Sequence, residues 1–188
     1  TDSEAGVAVL ACSNAGTVTS DVDKAVYVGG ITTRWGGAIC MVACYNVGTI
    51  EVKNNTQPYS SAGGLSGDFG GSNYMYGCFN SGSVIGVDYR GSLVGTSSYS
   101  AYVYNCCYDD EQLSDVGYPI GSPNKYNVSK CSYAEAVDIL NVGIEYYNKK
   151  ENVPCEYRFV AGDKPALVKV NPNQESTGTP GLGEGEIF

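Results

Sequence analysis

Eight cysteines, twenty carboxylates and sixteen tyrosines are the side chains of this 188-residue chain with chemistry to offer, and no histidine stands beside them. Without imidazole, neither a serine or cysteine triad with a histidine base nor an imidazole-ligated zinc site can be assembled from this chain alone. Ser66 lies in Gly64-Leu65-Ser66-Gly67-Asp68, which misses the G-x-S-x-G nucleophile pattern because position 68 is aspartate. Cys40 and Cys44 are four residues apart with no second thiol pair at metal spacing, which argues against zinc. Asp109, Asp110, Glu111 and Asp115 form an acidic stretch whose oxygens suit calcium, but the spacing matches no calcium loop, and a solvated turn is the simpler reading. Paired carboxylates can cleave polysaccharides, yet most acids here fall outside the repeating columns described next. The expectation is a protein without catalytic residues, metal or cofactor.

The cysteines instead report architecture. Cys12, Cys44 and Cys78 open the segments CSNAGTV, CYNVGTI and CFNSGSV, which share the pattern C-x-N-x-G-[TS]-[VI]. A glycine motif stands 15 residues upstream of each later cysteine: Gly29 before Cys44, Gly63 before Cys78, and Gly91 before Cys106 (44 − 29, 78 − 63 and 106 − 91 are all 15). The cysteine steps are 32, 34 and 28 residues (44 − 12, 78 − 44, 106 − 78). Two motifs that keep their offset through several copies describe a coil of about 30 residues stacked on its neighbours, with short strands pairing at ~4.8 Å. The fold class expected is mainly β: a β-solenoid of about three and a half repeats. A β-sandwich with glycine turns is the competing reading.

Stacking turns alignment columns into ladders. Cys12, Cys44, Cys78 and Cys106 form one, read as buried free thiols. Asn14, Asn46 and Asn80 form another, whose amides can bond up and down the column. Gly16, Gly48 and Gly82 follow, where a corner is expected to need positive φ, and Val18, Ile50 and Val84 resume an apolar column. Three residues before each cysteine stand Val9, Met41, Met75 and Val103, expected inward. Strict alternation cannot bury both that column and the cysteines, so a bulge or corner is expected at the small residues Ala11, Ala43, Gly77 and Asn105. The same parity turns Tyr74, Tyr76, Tyr102 and Tyr104 outward as a flat aromatic patch. Two readings stay open for it: a binding surface for glycan or protein, or ladder packing that stiffens the sheet. Trp35 and Phe69 form a second candidate aromatic corner.

After Cys106 the pattern loses its Asn and Gly, so the solenoid is expected over residues 1–118, with a cap of the same domain over 119–170. In that cap Ser132 and Glu135 make a capping box, and Tyr133, Val137, Leu140, Ile144 and Tyr147 recur at helical spacing. Gly143 inside the helix points to close approach to the sheet. Cys155–Val160 and Ala166–Val170 read as a hairpin. Cys131 and Cys155 flank the helix and are the best disulfide candidates. Residues 171–188 form a Pro-, Gly- and Glu-rich tail whose apolar anchors are Leu182, Ile187 and Phe188.

The net charge of −9 and a pI near 4.4 repel phosphate backbones and anionic lipid, so nucleic acid is not an expected partner. No run of about 18 apolar residues is present, so no direct membrane insertion is expected.

The VGGITT and AGGLSG segments, each followed by C-[YF]-N-x-G-[TS]-[VI], together with the closing NCCYDD, resemble the GLUG repeat of bacterial surface and secreted proteins. The segments around Ile139-Leu140-Asn141 and Tyr157-Arg158-Phe159 are similar to the region that often follows such repeats. The resemblance spans roughly residues 6 to 170, and Cys107 departs from it by standing where an aromatic is usual. It implies an extracellular or cell-surface module of Bacteroides-like bacteria serving adhesion, display or spacing. Its partners would be glycan or surface protein. Such repeats also occur beside immunoglobulin A peptidase domains, which implies an accessory domain of a larger secreted enzyme as the alternative. The glycine motif belonging to Cys12 would fall before Thr1, so a fragment of a longer exported chain is expected.

Overall fold

The computed structural model describes residues 7–34, 37–97, 100–111, 113–119 and 123–170. Trp35 and the tail from residue 171 lie outside them. The first coil is β1 (Val7–Leu10), β2 (Ser13–Asn14), β3 (Val18–Asp21), β4 (Tyr27–Gly29) and β5 (Thr32–Arg34). The second repeats it as β6 (Ile39–Val42), β7 (Tyr45–Asn46), β8 (Ile50–Lys53), β9 (Ser61–Gly63) and β10 (Ser66–Phe69). The third is β11 (Tyr74–Tyr76), β12 (Phe79–Asn80), β13 (Val84–Ile85), β14 (Tyr89–Gly91) and β15 (Val94–Ser97). Each strand pairs in parallel with its counterpart five strands on, which makes five sheets that run along the stack. Parallel pairing throughout the stack excludes the antiparallel sandwich and makes the fold a β-solenoid.

The solenoid runs past residue 118. The fourth coil keeps β16 (Tyr102–Tyr104) and β17 (Cys107–Tyr108), then passes directly to β18 (Val116–Pro119), which pairs with β15. A last turn, β19 (Asn124–Tyr126) and β20 (Ser129–Lys130), pairs with β16 and β17. The acidic stretch from Asp109 to Asp115 is the short cut that skips the third and fourth sheets, and Leu113 within it packs on the apolar cluster of Ile50, Val52 and Val84. The step between Tyr104 and Tyr126 is therefore only 22 residues (126 − 104), and Val128 stands in the cysteine column. A boundary at 118 follows the loss of the Asn and Gly after Cys106, whereas the parallel pairing continues to β20.

The parity problem is solved at the corner. Ala11, Ala43, Gly77, Asn105 and Asn127 all have φ between 51° and 55°. A left-handed residue at the same corner of every coil resets the alternation, so Met41 and Met75 and, three residues on, Cys44 and Cys78 all reach the inner core with Leu65, Phe69 and Leu93. Gly16, Gly48 and Gly82 are not the positive-φ positions. They are glycine because the coils touch there: a Cβ on Gly48 would lie 2.0 Å from the Gly16 carbonyl oxygen, and one on Gly82 1.9 Å from that of Gly48.

The cap is α1 (Tyr133–Lys150) and the antiparallel hairpin β21 (Tyr157–Phe159) and β22 (Leu167–Lys169). Glu135 accepts from both the Ser132 N–H at 3.0 Å and its hydroxyl at 2.7 Å, which fixes the helix start. The helix lays Tyr133, Ala136, Leu140, Ile144 and Tyr147 over the outer side of the corner, where they join Val42, Tyr76 and Phe79 in a second core. Contact is backbone-close: a Cβ on Gly143 would sit 2.6 Å from the Gly77 nitrogen. Small corner residues therefore serve both the turn and the helix.

Candidate functional site

The cysteine column is a hydrogen-bonded ladder. The Cys12 N–H donates to Cys44 Sγ at 3.4 Å, Cys44 N–H to Cys78 Sγ at 3.4 Å, and Cys78 N–H to Cys106 Sγ at 3.3 Å. Each thiol in turn donates to a carbonyl two residues back: Cys44 to Val42 at 3.3 Å, Cys78 to Tyr76 at 3.4 Å and Cys106 to Tyr104 at 3.4 Å. The left-handed corner breaks the backbone ladder at this point. A thiol is small and apolar enough to be buried there, yet still accepts the orphaned amide. All eight cysteines are free, including Cys131 and Cys155. Burial raises the Cys78 thiol well above its ordinary range, and burial with the nearby Glu151 charge pushes Cys40 up to about 12. Cys40 and Cys78 are therefore protonated structural thiols.

The asparagine column is more tightly bound still. Asn14 Nδ2 donates to Asn46 Oδ1 and Asn46 Nδ2 to Asn80 Oδ1, both at 2.7 Å. Within each coil the same amide closes an Asn-x-Gly turn; at Asn46, Nδ2 donates to the Gly48 carbonyl at 3.0 Å and Oδ1 accepts the Gly48 N–H at 3.2 Å. The ladder ends where Asn80 Nδ2 reaches Ser92 Oγ at 3.1 Å. Asn46 and Asn80 are fully buried with their amide groups satisfied.

Tyr74, Tyr76, Tyr102 and Tyr104 form two stacked columns rather than an exposed flat patch. Tyr74 lies over Tyr102 and Tyr76 over Tyr104, each pair at 5.0 Å with planes within 10° of parallel. The centroid spacing is that of the coils, so each ring's face is spent on the next ring and only its edge points away from the sheet. The helix covers Tyr76, which is 2% exposed, and Tyr74, Tyr102 and Tyr104 are half-buried. Two tyrosines beyond the expected four complete the group. Tyr126 stacks on Tyr104 at 4.7 Å and is 50% exposed, and Tyr146 of the helix leans on Tyr104 at 5.2 Å. Lys150 Nζ sits 4.7 Å from the Tyr146 ring centroid, a cation–π contact. Burial raises Tyr76 strongly and pushes Tyr104 up to about 12. Tyr126 could be found in the sequence only by following the column through the shortened 22-residue step.

The other candidates are occupied by structure. Ser66 is buried and its hydroxyl donates to the Asp68 carbonyl at 3.0 Å. Asp68 pairs with Arg34 at 3.2 Å and accepts from Thr96 at 3.1 Å. In the acidic loop Asp110 accepts the Leu113 N–H at 3.2 Å, and Asp115 pairs with Lys125 at 3.0 Å. Among the described residues no group of three His, Cys, Asp or Glu is placed to hold a metal ion, and Cys40 and Cys44 belong to different cores. Phe69 lies in the inner core rather than at an aromatic corner.

A cleft of about 250 Å³ opens between the first coil and the hairpin, lined by Leu10, Ala11, Ser13, Tyr45, Tyr157 and Leu167. Comparison with models of protein families, with curated proteins and with solved structures found no match to the chain.

Proposed function

We propose that this chain is a non-catalytic module of a bacterial surface or secreted protein, serving adhesion, display or spacing. The observation that carries the reading is the use made of the recurring polar residues. From Cys12 to Cys106 and from Asn14 to Asn80 the recurring cysteines and asparagines are hydrogen-bonded coil to coil, so these columns serve to hold the stack together and their polar groups are spent on one another. The extracellular assignment draws its support from the motif resemblance. Ligand contact, if the module adheres, belongs to the exposed end of the tyrosine columns at Tyr126 and Tyr146, which offer ring surface and hydroxyls beside the Lys150 ammonium.

The test is a panel of immobilised glycans and surface proteins probed with the purified chain. Saturable binding that falls at least tenfold in Tyr126→Ala supports adhesion through the column end. Absence of binding across the panel leaves display and spacing. Turnover of any glycan or peptide substrate overturns the non-catalytic reading.

A further inference from the structure

The two polar ladders stop short of the last turn. The asparagine ladder closes where Asn80 meets Ser92, and the cysteine ladder closes at Cys106, with Val128 in the next cysteine position. The last turn is held by backbone pairing of β19 and β20, by the Lys125–Asp115 ion pair, by Val128 on the inner core, and by the Ser129 hydroxyl set between Cys107 and Cys131 at 3.5 and 3.9 Å. The tyrosine column does run through. Tyr76, Tyr104 and Tyr126 stand in register on β11, β16 and β19, with centroids 5.0 and 4.7 Å apart and planes within 10° of parallel.

Phenols give up an electron and a proton to one-electron oxidants, and two phenoxyl radicals held against one another join through their rings. Access along this column is graded. Tyr126 is 50% exposed, Tyr104 is half-buried and Tyr76 is 2% exposed, so an oxidant in solution meets Tyr126 first. Tyr146 also leans on Tyr104, at 5.2 Å, but the Lys150 ammonium 4.7 Å from the Tyr146 centroid opposes electron loss from that ring. Tyr126 has no such cation over it among the described residues. Tyr59 is a natural contrast: it is 69% exposed and has no ring neighbour among them.

We propose that Tyr104 and Tyr126 are a covalent cross-linking site, coupled to dityrosine by a haem peroxidase acting with hydrogen peroxide. Tyr126 loses an electron to the oxidant and its phenolic proton to water. The electron hole passes across the stack to Tyr104, whose proton leaves as Tyr126 is reprotonated, and a second oxidation of Tyr126 puts one phenoxyl radical on each ring. A carbon–carbon bond forms between the positions ortho to the two oxygens. The two hydrogens on those carbons move to the oxygens as protons, which restores both phenols. The pair gives up two electrons and two protons in all, and these reduce one hydrogen peroxide to two waters. The product staples the fourth coil to the last turn across the 22-residue step (126 − 104), where the polar ladders have ended. The inference stands apart from any ligand at Tyr126.

The experiment treats the whole chain, dilute and under reducing-agent-free conditions after its thiols are blocked, with a haem peroxidase and one equivalent of hydrogen peroxide. Dityrosine fluorescence is expected in the monomer, with a mass lowered by two hydrogens. After denaturation and trypsin, peptide 126–130, whose sole tyrosine is Tyr126, should be joined to peptide 91–125, and amide exchange in β19 and β20 of the coupled chain should be slower. Tyr104→Phe and Tyr126→Phe keep a ring in the stack and are each expected to abolish the monomer product, with an unchanged circular dichroism spectrum. Tyr59→Phe is expected to leave it intact. No coupling, coupling confined to dimers, an undiminished product in Tyr126→Phe, or a cross-link of peptide 126–130 to any peptide other than 91–125 would each overturn the inference.

Discussion

Replacing Asn46 with alanine is the sharpest trial of the ladder. Its amide makes four hydrogen bonds: to Gly48 O at 3.0 Å, from Gly48 N–H at 3.2 Å, to Asn80 Oδ1 at 2.7 Å and from Asn14 Nδ2 at 2.7 Å. At about 1 kcal/mol net for each bond, with about 1–2 kcal/mol more for the Gly48 amide and carbonyl left dry, the loss is about 5–6 kcal/mol. Asn14→Ala removes three bonds, but in the first coil Gly16 is exposed and Asn14 only half-buried. Water replaces most of them, and the expected cost is about 1 kcal/mol. Asn80→Ala, with four bonds in a fully buried setting, should match Asn46→Ala. Urea denaturation followed by circular dichroism measures all three on one scale, provided the slope with denaturant is unchanged. Since whole domains are stable by only ~5–15 kcal/mol, Asn46→Ala should leave the chain at or below the folding threshold at 25 °C. Equal losses for Asn14→Ala and Asn46→Ala, or a loss at Asn46 under about 1.5 kcal/mol, would refute the claim that the buried amides hold the coils together.

The thiols and tyrosines offer two more tests. A chromogenic thiol reagent at pH 8 should react quickly only with Cys12 and Cys131, the two cysteines that are not buried, and with all eight after denaturation; a denatured chain with no free thiol would sink the thiol ladder. In alkali, burial holds Tyr104 and Tyr147 up to about 12, above the unfolded value of about 10. A raised folded value means stability that is fully present below pH 10 and lost as pH climbs through 12. Melting temperatures should therefore fall between those values, with phenolate absorbance for these rings rising only as the fold is lost; ionisation of all the tyrosines near pH 10 in a still-folded chain would contradict their burial.

What could be read from the residues was whatever recurs at a fixed offset. The cysteine, asparagine and −3 columns, the corner at Ala11, Ala43, Gly77 and Asn105, and the helix with Gly143 pressed on the sheet all lie where the spacing places them. Two things are not legible there. The last turn hides because its step is 22 residues and its marker is Val128, so only the tyrosine column carries through. The conformation at Gly48 and Gly82 hides because a recurring glycine can mean positive φ or mere closeness, and the 2.0 Å approach of a Cβ on Gly48 to the neighbouring carbonyl is visible only once the coils are stacked.

The tyrosines show why a column position does not predict a binding face. Identical rings in register on neighbouring coils are set ~4.8 Å apart by the backbone, close to the 4.7–5.0 Å at which they stack here. A ladder therefore consumes the faces of its own rings, as the asparagine ladder consumes its own donors and acceptors. In a solenoid of this kind ring surface is left over only where a column stops, as at Tyr126, which stacks on Tyr104 at 4.7 Å on one side and is 50% exposed.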